Sequence, residues 1–326
     1  MALAACASAS TAPARGSSPA ASAAASSKPA GRKLIVASTT AAGSQTPLWL
    51  ADYLHAWDNR GARVERQRVA PDIGTKALIN KDIDVLMQSP SAIIPANLNG
   101  NLDLVYVGSI FNYSQFALAV KSSIRSAADL KGKVVGTDRG GTTTDFQTRV
   151  LLSKLGLKLE DVQLPAIGAS EVIFTALISG RVDAGAIAVP QLFQAEAAGF
   201  RLLDNTFDIP YQNIGPVVLR ARIDELSPAL TPFLQGVRQG IQAFNAQPDL
   251  AMKLIEENTK ESDPAILKKT YDFYAKDTHF QEDLEPTMEG IQSMIDFLAD
   301  TAVPAAKGAK AEQFVDRRIL DRLTKN

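Results

Sequence analysis

The segment Asp138-Arg139-Gly140-Gly141-Thr142-Thr143-Thr144 holds the most informative chemistry in the sequence. Two glycines let the backbone come close to a ligand, and three threonines supply hydroxyls and a helix start. A helix N-terminus presents unpaired N–H groups with partial positive charge, which suits an anionic or strongly polar group. Arg139 offers such a group a bidentate clamp, or is simply a solvated surface charge. The segment is no dinucleotide fingerprint, because Gly-x-Gly-x-x-Gly is absent. It also lacks the Gly-Lys-Ser/Thr ending of a phosphate-binding loop.

Elements of alternating type must position that loop. Leu34-Ile35-Val36-Ala37 reads as a strand, followed by a polar loop and a helix opened by Pro47, with Leu50, Leu54 and Trp57 on one face. Val64–Val69, Ile83–Met87 and Leu102–Ser109 read as further strands, and their alternation with helices implies parallel pairing. The chain also repeats itself. Ala77-Leu78-Ile79, Ile83-Asp84-Val85 and Pro90 return as Ala176-Leu177-Ile178, Val182-Asp183-Ala184 and Pro190, about 99 positions later. Two lobes of one plan follow, each opening with strand, polar loop and helix. Ligand loops sit at the carboxyl ends of such strands, so facing lobes make a cleft. Gln88-Ser89 follow one repeated strand and Gln191 follows its copy, so all three are contact candidates, with Ser89 alternatively a helix cap. Past Gly215 the pattern is helical, over Pro228–Phe244, Pro248–Asn258, Pro264–Lys276, Met288–Leu298 and Ala311–Leu323.

Composition excludes several classes. The 34 basic and 35 acidic residues leave a net charge of −1, which provides no field for nucleic acid or an anionic membrane. One Cys rules out an internal disulfide framework, and with two histidines no metal site or cofactor is expected. His55 is expected on a solvated helix face and His279 in an exposed polar stretch. Trp49 and Trp57 read as packing residues, with Trp49 near the cleft. No apolar run reaches the 18 residues of a membrane span.

Residues 1–31 are dominated by Ala and Ser and read as a disordered tether. At its head, Leu3-Ala4-Ala5-Cys6 resembles a bacterial lipobox, which implies a lipid on Cys6. The basic and apolar regions of a signal peptide are missing ahead of it, so a lipidated Cys6 supposes an upstream signal.

Residues 32–326 resemble the type II periplasmic substrate-binding proteins of ABC importers, the NMT1/THI5-like group of sulfonate, taurine, nitrate and thiamine-pyrimidine binders. The resemblance rests on Gln45-Thr46-Pro47-Leu48 and on the two repeat segments. It rests also on Ala128-Asp129-Leu130-Lys131-Gly132-Lys133-Val134-Val135-Gly136 and Leu151-Leu152-Ser153-Lys154-Leu155-Gly156-Leu157. It implies an α/β fold of two lobes, each a mostly parallel sheet flanked by helices, with the C-terminal helices on lobe 1. Lobe 1 would be 32–116 plus 216–326 and lobe 2 would be 117–215, with hinges at Tyr113–Ala119 and Asn213–Val218. It implies solute contacts from Thr39, Thr40, Ser44 and Gln45 after the first strand, from Asn112 and Tyr113 at the hinge, and from Arg139, Gly140, Gly141, Thr142 and Thr143. Thr39, Thr40, Ser44 and Gln45 also suit turns and caps, and Tyr113 also suits core.

The function so implied is capture of a small polar or anionic organic solute outside the cytoplasm and delivery to an ABC permease and ATPase. The protein would be a periplasmic monomer, reaching a membrane only through Cys6. A sensor without a transporter is the alternative, as is an enzyme like thiamine-pyrimidine synthase. That enzyme needs a Cys-rich motif and histidines that the folded part of this chain lacks, and porphobilinogen deaminase needs a folded-body Cys that is missing too.

Overall fold

The computed structural model describes residues 33–276 and 280–323. The tether, Cys6 and His279 lie outside the described residues. β1 (Lys33–Ser38) is the first apolar run, and a polar turn leads from it into α1 (Thr46–Tyr53) with Pro47 in its first turn. Pro fits there because no intrahelical acceptor awaits its missing N–H and its φ is already helical. The helix ends short of Trp57, and the exposed His55 follows in a left-handed turn at φ 51°. Trp57 is buried nevertheless, its ring centroid 6.0 Å from that of Phe233.

β2 (Arg63–Arg68), α2 (Pro71–Ile79), β3 (Val85–Gln88), α3 (Pro90–Gly100), β4 (Leu104–Tyr106) and β5 (Phe111–Tyr113) continue the first half. The chain then crosses through Ser114–Gln115 into β6 (Phe116–Val120), β7 (Val135–Gly136), α4 (Thr143–Lys154), α5 (Ser170–Ile178), β8 (Ala184–Ala188), α6 (Gln191–Ala197) and β9 (Arg201–Asn205). Residues 206–209 carry it back to β10 (Pro210–Leu219). α7 (Ile223–Ala246), α8 (Pro248–Thr259), α9 (Pro264–Ala275), α10 (Met288–Thr301) and α11 (Leu320–Leu323) follow.

The strands form two sheets, in the orders β2-β1-β3-β10-β4 and β7-β8-β6-β9, with β5 paired to β10. Parallel pairs join β1 to β2, β1 to β3 and β7 to β8, whereas β10 and β6 run against their neighbours. Each sheet therefore holds one reversed strand among co-directional ones. In both, that strand is the first to follow a crossing. Bridges Val134↔Gln163 and Thr137↔Ala166 put residues 163–166 beside β7 in the place β2 takes beside β1. The two sheets share one plan.

Both faces of the first sheet are covered. Leu34, Val36, Val85 and Met87 pack to one side with α1 and α7, and Ala37 and Leu86 pack to the other with α10. That is the two-residue period of a strand with helices on both sides. α7 approaches α1 so closely that a Cβ on Gly240 would collide with the Pro47 carbonyl.

Two expectations fail here. The hinge expected at Asn213–Val218 lies inside β10, whose first residue already pairs with β5 at Pro210↔Tyr113. Pro210 and Pro216 hide that strand, because proline is a poor sign of an interior strand. Ala311–Leu323 is not one helix. It is a 3-10 turn at Ala311–Phe314 and the short α11, because Val315 pairs alongside Tyr106 and the Asp316 N–H donates to the Tyr106 carbonyl at 2.9 Å.

Candidate functional site

The starts of α3 and α4 belong to different sheets, and they meet. The Thr143 hydroxyl, in the first turn of α4, lies 3.1 Å from Ser91 Oγ and 3.4 Å from Ser89 Oγ. It also lies 2.8 Å from the Tyr211 hydroxyl on β10. The Tyr211 ring stacks on Phe146 at 5.7 Å, and Phe146 meets Phe297 of α10 edge-on at 5.0 Å. Gly141 turns the chain at φ 84°, and a Cβ there would sit 2.9 Å from the Ala302 methyl. No side chain fits between the start of α4 and the end of α10.

Both helix starts are already satisfied in part by their own side chains. Gln88 Oε1 accepts the Ser89 N–H at 2.9 Å, and Asp145 Oδ2 accepts the Gly141 N–H at 3.1 Å. Asp145 is 1% exposed, and its other oxygen accepts from Arg149 Nε at 2.9 Å. Burial pushes the Tyr211 phenol up to about 12, moderated by its bonds to Thr143 and Ser89. It stays protonated at neutral pH.

A second polar group surrounds the Ser114–Gln115 crossing. The Tyr274 hydroxyl of α9 donates to Gln115 Oε1, and the Ser44 amide and hydroxyl reach the same phenol oxygen. Burial holds that phenol well above the usual tyrosine range. The Ser114 hydroxyl meets that of Thr206 at 2.6 Å, and Thr206 Oγ1 donates to Gln147 Oε1 at 2.8 Å. Farther along the same seam, Gln194 of α6 donates to Glu261 at 2.6 Å and Phe207 meets Phe273 edge-on at 5.0 Å.

The residues expected from sequence fare differently. Ser44 and Gln45 are buried at the seam, whereas Thr40 is exposed and Thr39 packs its methyl toward Gly74. Ser89 takes the N-cap position of α3, but its hydroxyl goes to Ser91 and Thr143 rather than to the helix. Asn112 is spent in the core, donating to the Glu285 carbonyl at 2.6 Å and accepting from Ser109 at 2.6 Å. Tyr113 packs half-buried against the core, and Gln191 is half-buried at the start of α6. Arg139 and Gly140 are exposed at the loop tip, and Thr142 caps α4 by accepting the Asp145 N–H at 3.3 Å. Trp49 is buried. Sequence reasoning missed Ser91, Gln147, Tyr211, Thr270 and Tyr274. Tyr211 follows Pro210 in a stretch without strand alternation, and the others look like ordinary helix residues.

Among the described residues no group of three or more His, Cys, Asp or Glu is placed to hold a metal ion, and no helix is long and apolar enough to cross a membrane. Surface depressions of about 330 Å³ along α5 and about 430 Å³ between α8 and α9 lie away from the seam.

Residues 61–251 match the family model described as NMT1/THI5 like. A protein of Brucella abortus, provisionally named a binding protein, is 32% identical over 136 residues, 41% of this chain and 41% of that protein. The match thus spans about two fifths of the curated relative. Among solved structures, the periplasmic aliphatic sulphonate binding protein SsuA from Escherichia coli superimposes with a TM-score of 0.73 at 20% identity, covering 87% of this chain and 92% of that one. The desulfurization enzyme DSZB superimposes with a TM-score of 0.69 at 15% identity, covering 90% of this chain and 99% of that one. Likeness at such identities shows the fold alone, which is that of the periplasmic binding proteins.

Proposed function

Because the chain belongs to the NMT1/THI5 like family, we propose that it is an extracytoplasmic solute-binding protein serving an ABC importer. It takes a small polar or anionic organic solute between lobe 1 and lobe 2 and presents it to a permease and its ATPase. The division into lobes stays 32–116 plus 216–326 and 117–215, apart from Phe116, which pairs with β8 in the second sheet, and residues 210–215, which pair with the first. The protein works as a periplasmic monomer, with Cys6 as its lipid anchor.

One observation carries this reading. Two sheets of a single plan, joined by two short crossings, bring their helix starts face to face at Ser89, Ser91 and Thr143, with Tyr211 of β10 bonded to Thr143. Such a seam opens by hinge rotation and closes on a solute.

An enzyme on this fold is the second reading, favoured by the likeness to DSZB. The seam supports it less well. Its hydroxyls bond one another rather than a base, and of its buried carboxylates Asp145 is paired with Arg149 while Glu261 accepts from Gln194 and from the Asp263 N–H. Nucleophilic catalysis needs a hydroxyl or thiol beside a base.

The test is a melting-temperature screen of the purified protein against sulfonates, carboxylates and uncharged heterocycles. A true solute at 100 times its Kd adds about 2.7 kcal/mol to stability. No stabilising solute in a broad panel, or turnover of the one that binds, contradicts the proposal.

A further inference from the structure

Five buried side-chain polar atoms among the described residues have no hydrogen-bond partner: Gln45 Nε2, Arg66 Nε, Gln147 Nε2, Arg222 Nη1 and Thr270 Oγ1. The two Arg atoms belong to guanidinium groups that carboxylates already hold, Arg66 by Asp52 at 2.6 Å and Arg222 by Asp84 at 2.7 Å. The other three are neutral groups, and each is linked to the Ser114–Gln115 crossing through a neighbour. Gln147 accepts from Thr206, whose hydroxyl meets Ser114. Gln45 adjoins Ser44, which bonds the Tyr274 phenol, and that phenol donates to Gln115. Thr270 lies one turn before Tyr274 on α9 and is fully buried.

Folded interiors rarely leave such groups unpaired, because a buried polar atom without a partner loses its hydration for nothing. Three linked to the Ser114–Gln115 crossing, from both sides of the seam, point to a common partner. Each amide already has its oxygen engaged, Gln147 Oε1 by Thr206 at 2.8 Å and Gln45 Oε1 by Ser38 at 3.4 Å. What each offers is therefore its NH₂ group, a donor.

We infer that Gln45, Gln147 and Thr270 form the subsite that receives an oxygen-acceptor group of the solute, a sulfonyl, carboxyl or carbonyl group, beside the Ser114–Gln115 crossing. The inference rests on the solute-binding reading and goes further, since neither Gln147 nor Thr270 follows from the sequence pattern. It also gives the Gly140–Thr144 loop another task. Its Gly141 N–H is held by Asp145 and its Thr143 hydroxyl by Tyr211, so the loop fastens the lobes while the two amides grip the solute.

The test is isothermal titration of the full chain with four probes: ethanesulfonate, acetate, and the uncharged dimethyl sulfone and acetamide. At least one binds the wild type, and the charged and uncharged arms show whether the oxygen belongs to an anion. Gln147→Leu and Thr270→Val each weaken that binding tenfold or more. Thr270→Val keeps or raises the melting temperature, because it removes only an unpaired polar atom at nearly constant volume. Gln147→Leu also removes the Oε1 that accepts from Thr206, and so lowers it modestly while the protein stays folded. Unchanged affinity in a folded Gln147→Leu or Thr270→Val variant overturns the subsite. So does failure of all four probes when the wider screen yields another ligand. If nothing binds in either experiment, the solute-binding reading itself has failed and the subsite falls with it.

Discussion

Asp84 and Asp183, 99 positions apart, perform the same task in the two sheets. Asp84 Oδ2 accepts the Ile35 N–H at 2.9 Å, and Asp183 Oδ2 accepts the Val134 N–H at 3.1 Å. Their own N–H groups return the bond to the carbonyls of Ile35 and Val134. Each also meets a cation just beyond the reversed strand, Arg222 after β10 at 2.7 Å and Lys121 after β6 at 2.6 Å. Each carboxylate thus ties the strand that opens its repeat (β1, or β7 through Val134), the strand it precedes and the end of the crossing strand.

The two differ in burial, and this sets their energies. Asp84 and Arg222 are both nearly buried, so Asp84→Ala leaves the Arg222 guanidinium only the more exposed Glu225 as counter-charge, at a cost approaching that of a broken buried pair, about 3–5 kcal/mol. Asp183 and Lys121 are partly solvated, so Asp183→Asn loses about 1.5–3 kcal/mol, the range for a hydrogen bond to a charged group. Urea unfolding of the two variants should show that order.

Acid should act through Asp183. The Lys121 ammonium holds the Asp183 carboxyl below the usual range, with the Val134 N–H adding to it, against an upward push from burial that is smaller than the Lys121 effect. A folded pKa below the unfolded one gives stability that is complete above about pH 4 and fades as pH falls through the folded value. Asp183→Asn should therefore lose stability less steeply than wild type below pH 4, as followed by circular dichroism.

A reciprocal exchange of size links the same two sheets. A Cβ on Gly74 of α2 would lie 2.9 Å from Leu86 Cδ1 of β3, whereas a Cβ on Gly185 of β8 would collide with Ile173 of α5. The large residue sits on the strand in one sheet and on the helix in the other. Gly185→Ala should cost about 1–3 kcal/mol by overpacking, and adding Ile173→Ala should recover part of it. A thermodynamic cycle without coupling between the two sites would refute the exchange.

The repeat was legible because backbone geometry demands it locally. An Asp at a strand head, a Pro at a helix start and apolar runs of strand length each have a short-range cause. The mixed direction of the sheets was not legible, since β6 and β10 owe their reversal to where the chain crosses. The seam was half legible. Ser44, Gln45, Ser89 and Thr143 stand at predictable loop ends, but Tyr211 and Gln147 matter through neighbours more than 50 positions away, and Thr270 through the Tyr274–Gln115 contact, which no local pattern encodes.

Tyr211 should report closure of the seam. Its phenol is pushed up to about 12, so its contribution to stability is complete below pH 10 and is lost as pH rises through that value. Absorbance at 295 nm should show several tyrosines titrating late, Tyr106 and Tyr274 among them; the component lost in Tyr211→Phe belongs to Tyr211, and Thr143→Val should raise its midpoint. Tyr211→Phe should cost about 0.5–1.5 kcal/mol and enlarge the ligand-free radius of gyration in small-angle scattering. An unchanged radius would mean that these hydroxyls do not hold the lobes together.

The most direct test is a crystal structure with the solute that raises the melting temperature most. The solute should appear intact between the two sheets, beside Ser114–Gln115, within hydrogen-bond distance of Gln45 and Gln147 side-chain nitrogens. Density for it in the groove between α8 and α9 or along α5, with the seam unchanged, would contradict the account.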